Sequence, residues 1–170
     1  NNPETMGDMN LLEKMTASLF QSVTTRTAGF ATVPQGDLRE SSKLLGCMLM
    51  FIGGSPAGTA GGVKTTTIAM LLLTVLCVLK NKRDTECFAR KIDNNIVRSG
   101  ITITMITLIF LMSGITALTI FEPGIDFLDL TYEAASAMGT VGLTADLTPI
   151  LSRGSHVTVS YTHLRAHETS

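Results

Sequence analysis

One uncharged run of 21 residues, ITITMITLIFLMSGITALTIF at positions 101–121, constrains this chain more than any other feature. At about 1.5 Å per residue, a helix of that length reaches the roughly 30 Å of a bilayer's hydrocarbon core. A buried helix in a soluble domain is the plain alternative. Few globular helices run so far with no polar stripe beyond Ser and Thr, so a membrane span is the reading. Composition agrees: 45% of the 170 residues are hydrophobic and 16% charged, against about 25% charged in an ordinary soluble domain. A net charge of −1 gives no general attraction to nucleic acid. Cys47, Cys77 and Cys87 form no C-x-x-C pair, which argues against a metal site or a disulfide framework.

A second apolar region behaves differently. LLGCMLMFI (44–52) and IAMLLLTVLCVL (68–79) are each too short to cross alone, and GGSPAGTAGGVKTTT (53–67) separates them. Together they span only if the glycine-rich break lies at membrane depth. Irregular backbone is tolerated there where it is buried in protein or lines a wet cavity, and a broken helix of this kind points to an ion or substrate path. Between this region and the long run lies KNKRDTECFARKIDNNIVR (80–98), with Lys80, Lys82, Arg83, Arg90, Lys91 and Arg98. The excess of positive charge places that linker in the cytoplasm. Glu122, Asp126, Asp129 and Glu133 then fall at the outer end, as an acidic mouth that would concentrate cations or as an ordinary solvated loop.

Two helix-like segments are too short to span, MNLLEKMTASLFQSV (9–23) and DFLDLTYEAASAM (126–138). Each runs into a Thr-x-Gly-apolar tetrapeptide, Thr27-Ala28-Gly29-Phe30 and Thr140-Val141-Gly142-Leu143, whose glycines are 113 residues apart. This is an internal repeat. A half-helix that stops inside the membrane directs the negative end of its dipole at the ion path and favours a cation. The extended segment after it can offer carbonyls in place of a hydration shell, and glycine lets that backbone turn them inward. One such tetrapeptide is most simply a turn; two, each correctly placed relative to a span, read as an ion filter.

With SVTTRTAGF, GGSPAGTAGGVKTTT and SAMGTVGLT in this order, residues 9–155 resemble the Trk/Ktr/HKT superfamily of potassium transporters. Members look like four repeats of helix, pore half-helix and helix around one pore, each donating a filter segment with a key glycine. The resemblance implies an all-α integral membrane fold of such repeats, incomplete here, with extended filter loops and a broken transmembrane helix. Gly29 would be the third-repeat filter glycine and Gly142 the fourth, with Thr25, Thr27, Ala28, Thr140 and Val141 lining the filter beside them. Gly53, Gly54, Ser55, Gly58, Gly61, Gly62 and Lys64 would belong to an intramembrane gating loop. Residues 1–82 would then hold the third pore helix, its filter and the broken second helix (37–82). Residues 83–95 would be the cytosolic linker. Residues 96–155 would hold the fourth repeat's first helix (96–121), pore helix (126–138) and filter.

The resemblance further implies potassium uptake across a bacterial cell membrane by a multi-pass, ion-conducting subunit. It implies a cytosolic nucleotide-binding regulatory ring and a homodimer as partners, and sodium stimulation in the Ktr type; Trk and Ktr types both stand. No catalysis and no cofactor beyond transported K+ are expected. The family pattern fails after LTPILSRGS, where another membrane helix is due. HVTVSYTHLRAHETS (156–170) carries all three histidines and reads as an appended, non-native tail. Two filter segments cannot close a four-part pore, so the chain is expected to be a fragment that does not transport alone.

Two other functions compete with this reading. A nucleotide-binding P-loop needs G-x-x-x-x-G-K-[ST]. Gly58, Lys64 and Thr65 fit, but Val63 stands where the second glycine is required. A small structural membrane protein without a pore explains the hydrophobicity and leaves the paired Thr-x-Gly units unexplained.

Overall fold

The computed structural model describes residues 9–55, 61–80 and 92–147, with Thr5, Gly7, Ser152, Gly154, Ser155, residues 157–160 and Thr162, and the backbone alone at 86, 87, 90 and 91. Among the described residues the fold is mainly helical, its named helices being α1 (Leu11–Thr24), α2 (Glu40–Phe51), α3 (Thr65–Leu79), α4 (Asn94–Phe121) and α5 (Phe127–Met138). Besides an isolated bridge between Ile52 and Val63, β pairing among the described residues is confined to a two-residue antiparallel hairpin, β1 (Glu86–Cys87) with β2 (Arg90–Lys91).

Local chemistry sets the helix starts. Glu13 reaches back to the Asn10 amide at 2.8 Å. Asp93 caps α4 through the Asn95 amide, and Asp126 caps α5 through the Leu128 amide. Each cap satisfies an N–H that has no partner inside its helix. In α4, the hydroxyls of Thr102, Thr104, Thr107, Thr116 and Thr119 each donate to the carbonyl four residues earlier. The polar atoms of the apolar run are therefore satisfied within the helix itself, as a hydrocarbon surrounding requires.

At 28 residues α4 is about 42 Å long, enough to cross a membrane. Only 22% of its most apolar window is buried among the described residues, whereas the core helix of a soluble protein is mostly buried. Its contact stripe is built on small residues: Gly100 lies against Thr67 and Met70 of α3, and Gly114 against the Thr162 methyl. The stretch 37–82 expected as a broken helix resolves into α2, an interruption at 52–64 and α3. The segments 9–23 and 126–138, expected to be helical, carry α1 and α5.

α5 is the centre of the packing, with α2 on one side and α4 on the other. One apolar cluster joins Cys47 and Met50 of α2 to Tyr132 and Ala135 of α5 and to Val141, Leu143 and Ala145 after it. A second joins Ile115 and Leu118 of α4 to Leu130 and Ala134, with Val159 packed against it. The loop that follows α5 thus begins inside the core.

Candidate functional site

The two Thr-x-Gly segments follow the ends of α1 and α5 and share an unusual backbone. Thr27 and Gly29 have φ of 70° and 72°, and Thr140 and Gly142 have 51° and 83°. In both segments a left-handed residue, one intervening residue and a left-handed glycine come in succession. Left-handed φ at alternate positions turns carbonyls toward one side of the strand, where ordinary extended chain would alternate them. It is costly for Thr and routine for Gly. The sequence repeat is therefore also a repeat of conformation.

Each of these helices ends by holding its own loop. The Ala28 and Gly29 amides donate to the Thr24 carbonyl at 3.2 and 3.3 Å, and Thr24 Oγ1 both donates to the Phe30 carbonyl and accepts from its amide. At α5 the Thr140 and Val141 amides return to Ala137 and Ser136 at 3.2 and 2.9 Å. The two loops touch. A Cβ on Gly29 would lie 2.5 Å from the Val141 carbonyl oxygen, and Thr27 Oγ1 donates to the Gly139 carbonyl at 3.5 Å. The segments beyond them line a shared cleft of about 530 Å³ with Gly29, Gly142, Thr144 and Asp146 on its walls. Of the remaining filter candidates, Thr25 is buried and donates to the Ser22 carbonyl at 2.9 Å, while Ala28 is exposed.

The glycine-rich break meets the second of these loops. Its limbs run side by side, the Val63 amide on the Phe51 carbonyl and the Thr65 amide on that of Gly54. They approach so closely that a Cβ on Gly53 would fall 1.9 Å from the Gly61 carbonyl oxygen. Gly61 in turn donates to Thr140 Oγ1 at 3.0 Å. Gly53, Gly54 and Gly61 are buried, Gly62 and Lys64 half-buried and Ser55 exposed. Gly58 lies outside the described residues. Lys64 is the N-cap residue of α3, its carbonyl accepting from the Thr67 and Ile68 amides. A phosphate-binding loop joins a strand to a helix; here α2, a helix, precedes the loop.

Four polar side chains that the sequence did not single out as site residues organise these loops. Gln35 is buried behind the first loop, exchanging amide hydrogen bonds with Gln21 of α1 and donating to the Val33 carbonyl at 2.6 Å. Tyr132 of α5 donates its hydroxyl to Gln35 Oε1 at 2.8 Å. Its neighbour Glu133 accepts from Thr144 Oγ1 and from the Ala145 amide at 3.1 Å. Lys43 of α2 pairs with Asp129 of α5 at 2.5 Å.

Two of the four carboxylates expected at an acidic mouth are thus engaged inside the protein, since Glu133 is only 4% exposed and Asp129 is paired. The available signal for an inward role was that Glu133 opens the stretch EAASAM, where only small residues and Met follow it to the end of α5. Asp126 is a helix cap. Glu122, just past α4, accepts from the Ser152 amide and the Ser155 hydroxyl at 2.7 and 2.9 Å, and these bonds, the amide's foremost, hold its carboxyl below the ordinary carboxylate range. No cluster of metal-ligating side chains is found among the described residues.

A helix long and apolar enough to cross a membrane, two short helices followed by left-handed loops in contact, and a glycine-rich interruption bonded to the second loop accompany a match to a family of cation-transport proteins. The family model for TrkH, described as a cation transport protein, matches residues 2–160. The chain belongs to the TrkH family. It is 42% identical over 151 residues to Ktr system potassium uptake protein B of Bacillus subtilis, covering 89% of this chain and 34% of that protein. It is 37% identical over 145 residues to potassium/sodium uptake protein NtpJ of Enterococcus hirae, covering 82% and 32%. To Ktr system potassium uptake protein D of B. subtilis it is 36% identical over 135 residues, covering 79% and 30%. The chain spans about a third of the length of these relatives. The family is one of cation transporters, not a class of enzymes.

Proposed function

We propose that this chain is part of the ion-conducting subunit of a Trk/Ktr-type potassium uptake system in a bacterial cell membrane. In this reading α1 and α5 are the pore half-helices of the third and fourth repeats. The carbonyls of Thr25, Thr27, Ala28 and Gly29, and of Thr140, Val141 and Gly142, replace water around K+. The break from Gly53 to Lys64 is the gate. The observation that carries the reading is the shared conformation of the two loops, left-handed at Thr27 and Gly29 and again at Thr140 and Gly142, with the loops in contact. The names of the relatives, potassium uptake and potassium/sodium uptake, support K+ as the transported ion and a place for Na+, as co-ion or stimulant. The Ktr system name supports assembly with other subunits; a cytosolic nucleotide-binding ring and a homodimer are the partners proposed.

The test is potassium and sodium flux into liposomes bearing the full-length subunit, with and without Gly142→Ser. Among the described residues no non-neighbouring atom lies within 4 Å of a Cβ added at Gly142, while the left-handed backbone there is strained by any side chain. Selective potassium flux that loses its preference over sodium in the variant is the expected result. Unchanged selectivity would remove Gly142 from the filter, and a subunit that moves no potassium would end the proposal.

A further inference from the structure

Two adjacent residues of α5 reach in different directions. The Tyr132 hydroxyl goes to Gln35, on the limb that follows Gly29. The Glu133 carboxylate goes to Thr144 and Ala145, on the limb that follows Gly142. Both side chains are enclosed, Tyr132 at 1% exposure and Glu133 at 4%. One half-helix therefore fastens the limbs of both loops, including the loop that belongs to the other half-helix.

The fastening is specific. Gln35 receives the Tyr132 hydroxyl, exchanges hydrogen bonds with Gln21 of α1 and holds the Val33 carbonyl, so α1, the first limb and α5 form one polar chain. Glu133 Oε1 takes a side-chain and a backbone donor two and three residues past Gly142. A buried carboxylate with two donors resists displacement, because a freed one would be left without water or partner. Both limbs line the 530 Å³ cleft above the glycines. If the limbs shift, the spacing of the carbonyls behind them shifts as well. A carbonyl cage discriminates between cations through the number and placement of its oxygens.

We infer that Tyr132 and Glu133 are paired positioning residues for ion selectivity, holding the two loops at one separation. The inference rests on the pore reading above. It is tested with the full-length subunit in liposomes, comparing potassium and sodium flux for Tyr132→Phe and Thr144→Val, each of which removes a hydroxyl and keeps its bulk. Thr144→Ser and Glu133→Gln serve as conservative controls that retain a donor and an acceptor. Thermal stability and hydrogen exchange at the Ala145 amide are followed in parallel, with Glu133→Leu added for the exchange.

The first two variants should lower potassium preference about fivefold while total flux persists, the shift expected from losing one hydrogen bond of about 1 kcal/mol. The controls should stay near wild type, and Glu133→Leu should unprotect the Ala145 amide. A selective wild type whose Tyr132→Phe and Thr144→Val forms are equally selective overturns the inference and leaves the pore reading standing. Loss of stability with unchanged selectivity overturns it too, by reducing both residues to scaffold. A wild type that passes no potassium ends the pore reading and this inference together.

Discussion

The backbone amide of Gly61 donates to the hydroxyl of Thr140 at 3.0 Å, tying the glycine-rich interruption of one helix to the loop that ends another, 79 residues on. Thr140 is left-handed, with φ of 51°, and its side chain lies within 2.7 Å of where a Cβ on Gly61 would stand. If the interruption is the proposed gate, its withdrawal has to break this bond. Thr140→Val keeps the shape and removes the hydroxyl, so the loop should leave more readily. Loss of one hydrogen bond, about 1 kcal/mol, allows roughly a fivefold rise in basal flux. Rubidium efflux from liposomes holding the full-length subunit measures it, with Thr140→Ser expected to match wild type. Equal basal efflux from the Val form would mean that the bond does not hold the loop.

Gly29 and Gly142 occupy equivalent places and should respond differently to alanine. Both are left-handed, which penalises an L side chain by about 1–2 kcal/mol. At Gly142 no described residue beyond its chain neighbours lies within 4 Å of the new methyl, so among these residues only that penalty applies. At Gly29 the methyl would sit 2.5 Å from the Val141 carbonyl oxygen, backbone that can yield only by moving the second loop. Gly29→Ala should therefore lower the melting temperature clearly more than Gly142→Ala. Equal losses in detergent-solubilised protein would show that the two loops do not press on each other.

What the sequence discloses about this site follows from which interactions are local. Thr-x-Gly after a short amphipathic helical pattern marks a helix that runs into a turn, and the structure has α1 and α5 in those places. The glycines at 53–62 advertise a break because no helix tolerates so many, and α2 does end at Phe51. The long uncharged run reads directly as α4. The direction of a polar side chain is another matter. Glu133 stands in a row with Glu122, Asp126 and Asp129, and a row of acids reads as a solvated mouth. Its burial depends on Thr144 and Ala145 folding back over α5. Gln35 lies in a loop that reads as a plain connection, and its role appears only when Gln21 and Tyr132 converge on it from two helices. Such partners are set by tertiary packing, which no period of 3.6 residues records.

Glu122 should make stability depend on pH at the acid end. Its carboxyl sits below its ordinary value of 4.5, foremost because the Ser152 amide donates to it, with the Ser152 and Ser155 hydroxyls adding to the effect. A depressed folded value means that the unfolded chain takes up the proton first. The contribution is therefore complete above the ordinary carboxylate range and is lost as pH falls through the lower, folded value. Glu122→Gln should flatten the acid limb of the melting temperature plotted against pH by lowering the neutral plateau, while the two proteins converge at the acid end. An acid limb of the same steepness in both proteins would show that the Ser152 contact is not maintained.

The Lys43–Asp129 pair joins the two helices that pack most closely, α2 and α5, at 2.5 Å with side-chain exposures of 9% and 21%. Its worth differs according to how it is removed. Lys43→Met leaves a largely enclosed carboxylate without its cation, and Asp129→Asn leaves a buried ammonium facing an amide. Breaking a buried pair from one side costs about 3–5 kcal/mol, and the solvent still reaching Asp129 moves the expectation to about 2–3 kcal/mol for either change. Replacing both, as Lys43→Met with Asp129→Leu, removes the stranded charge along with the attraction and should recover most of the loss. A double-mutant cycle on melting temperature separates the two contributions. Strong coupling with a near-neutral double variant is the expected pattern. Additive single effects would mean that the two side chains act independently and that apolar packing alone, through Met50, Cys47 and Tyr132, holds α2 against α5.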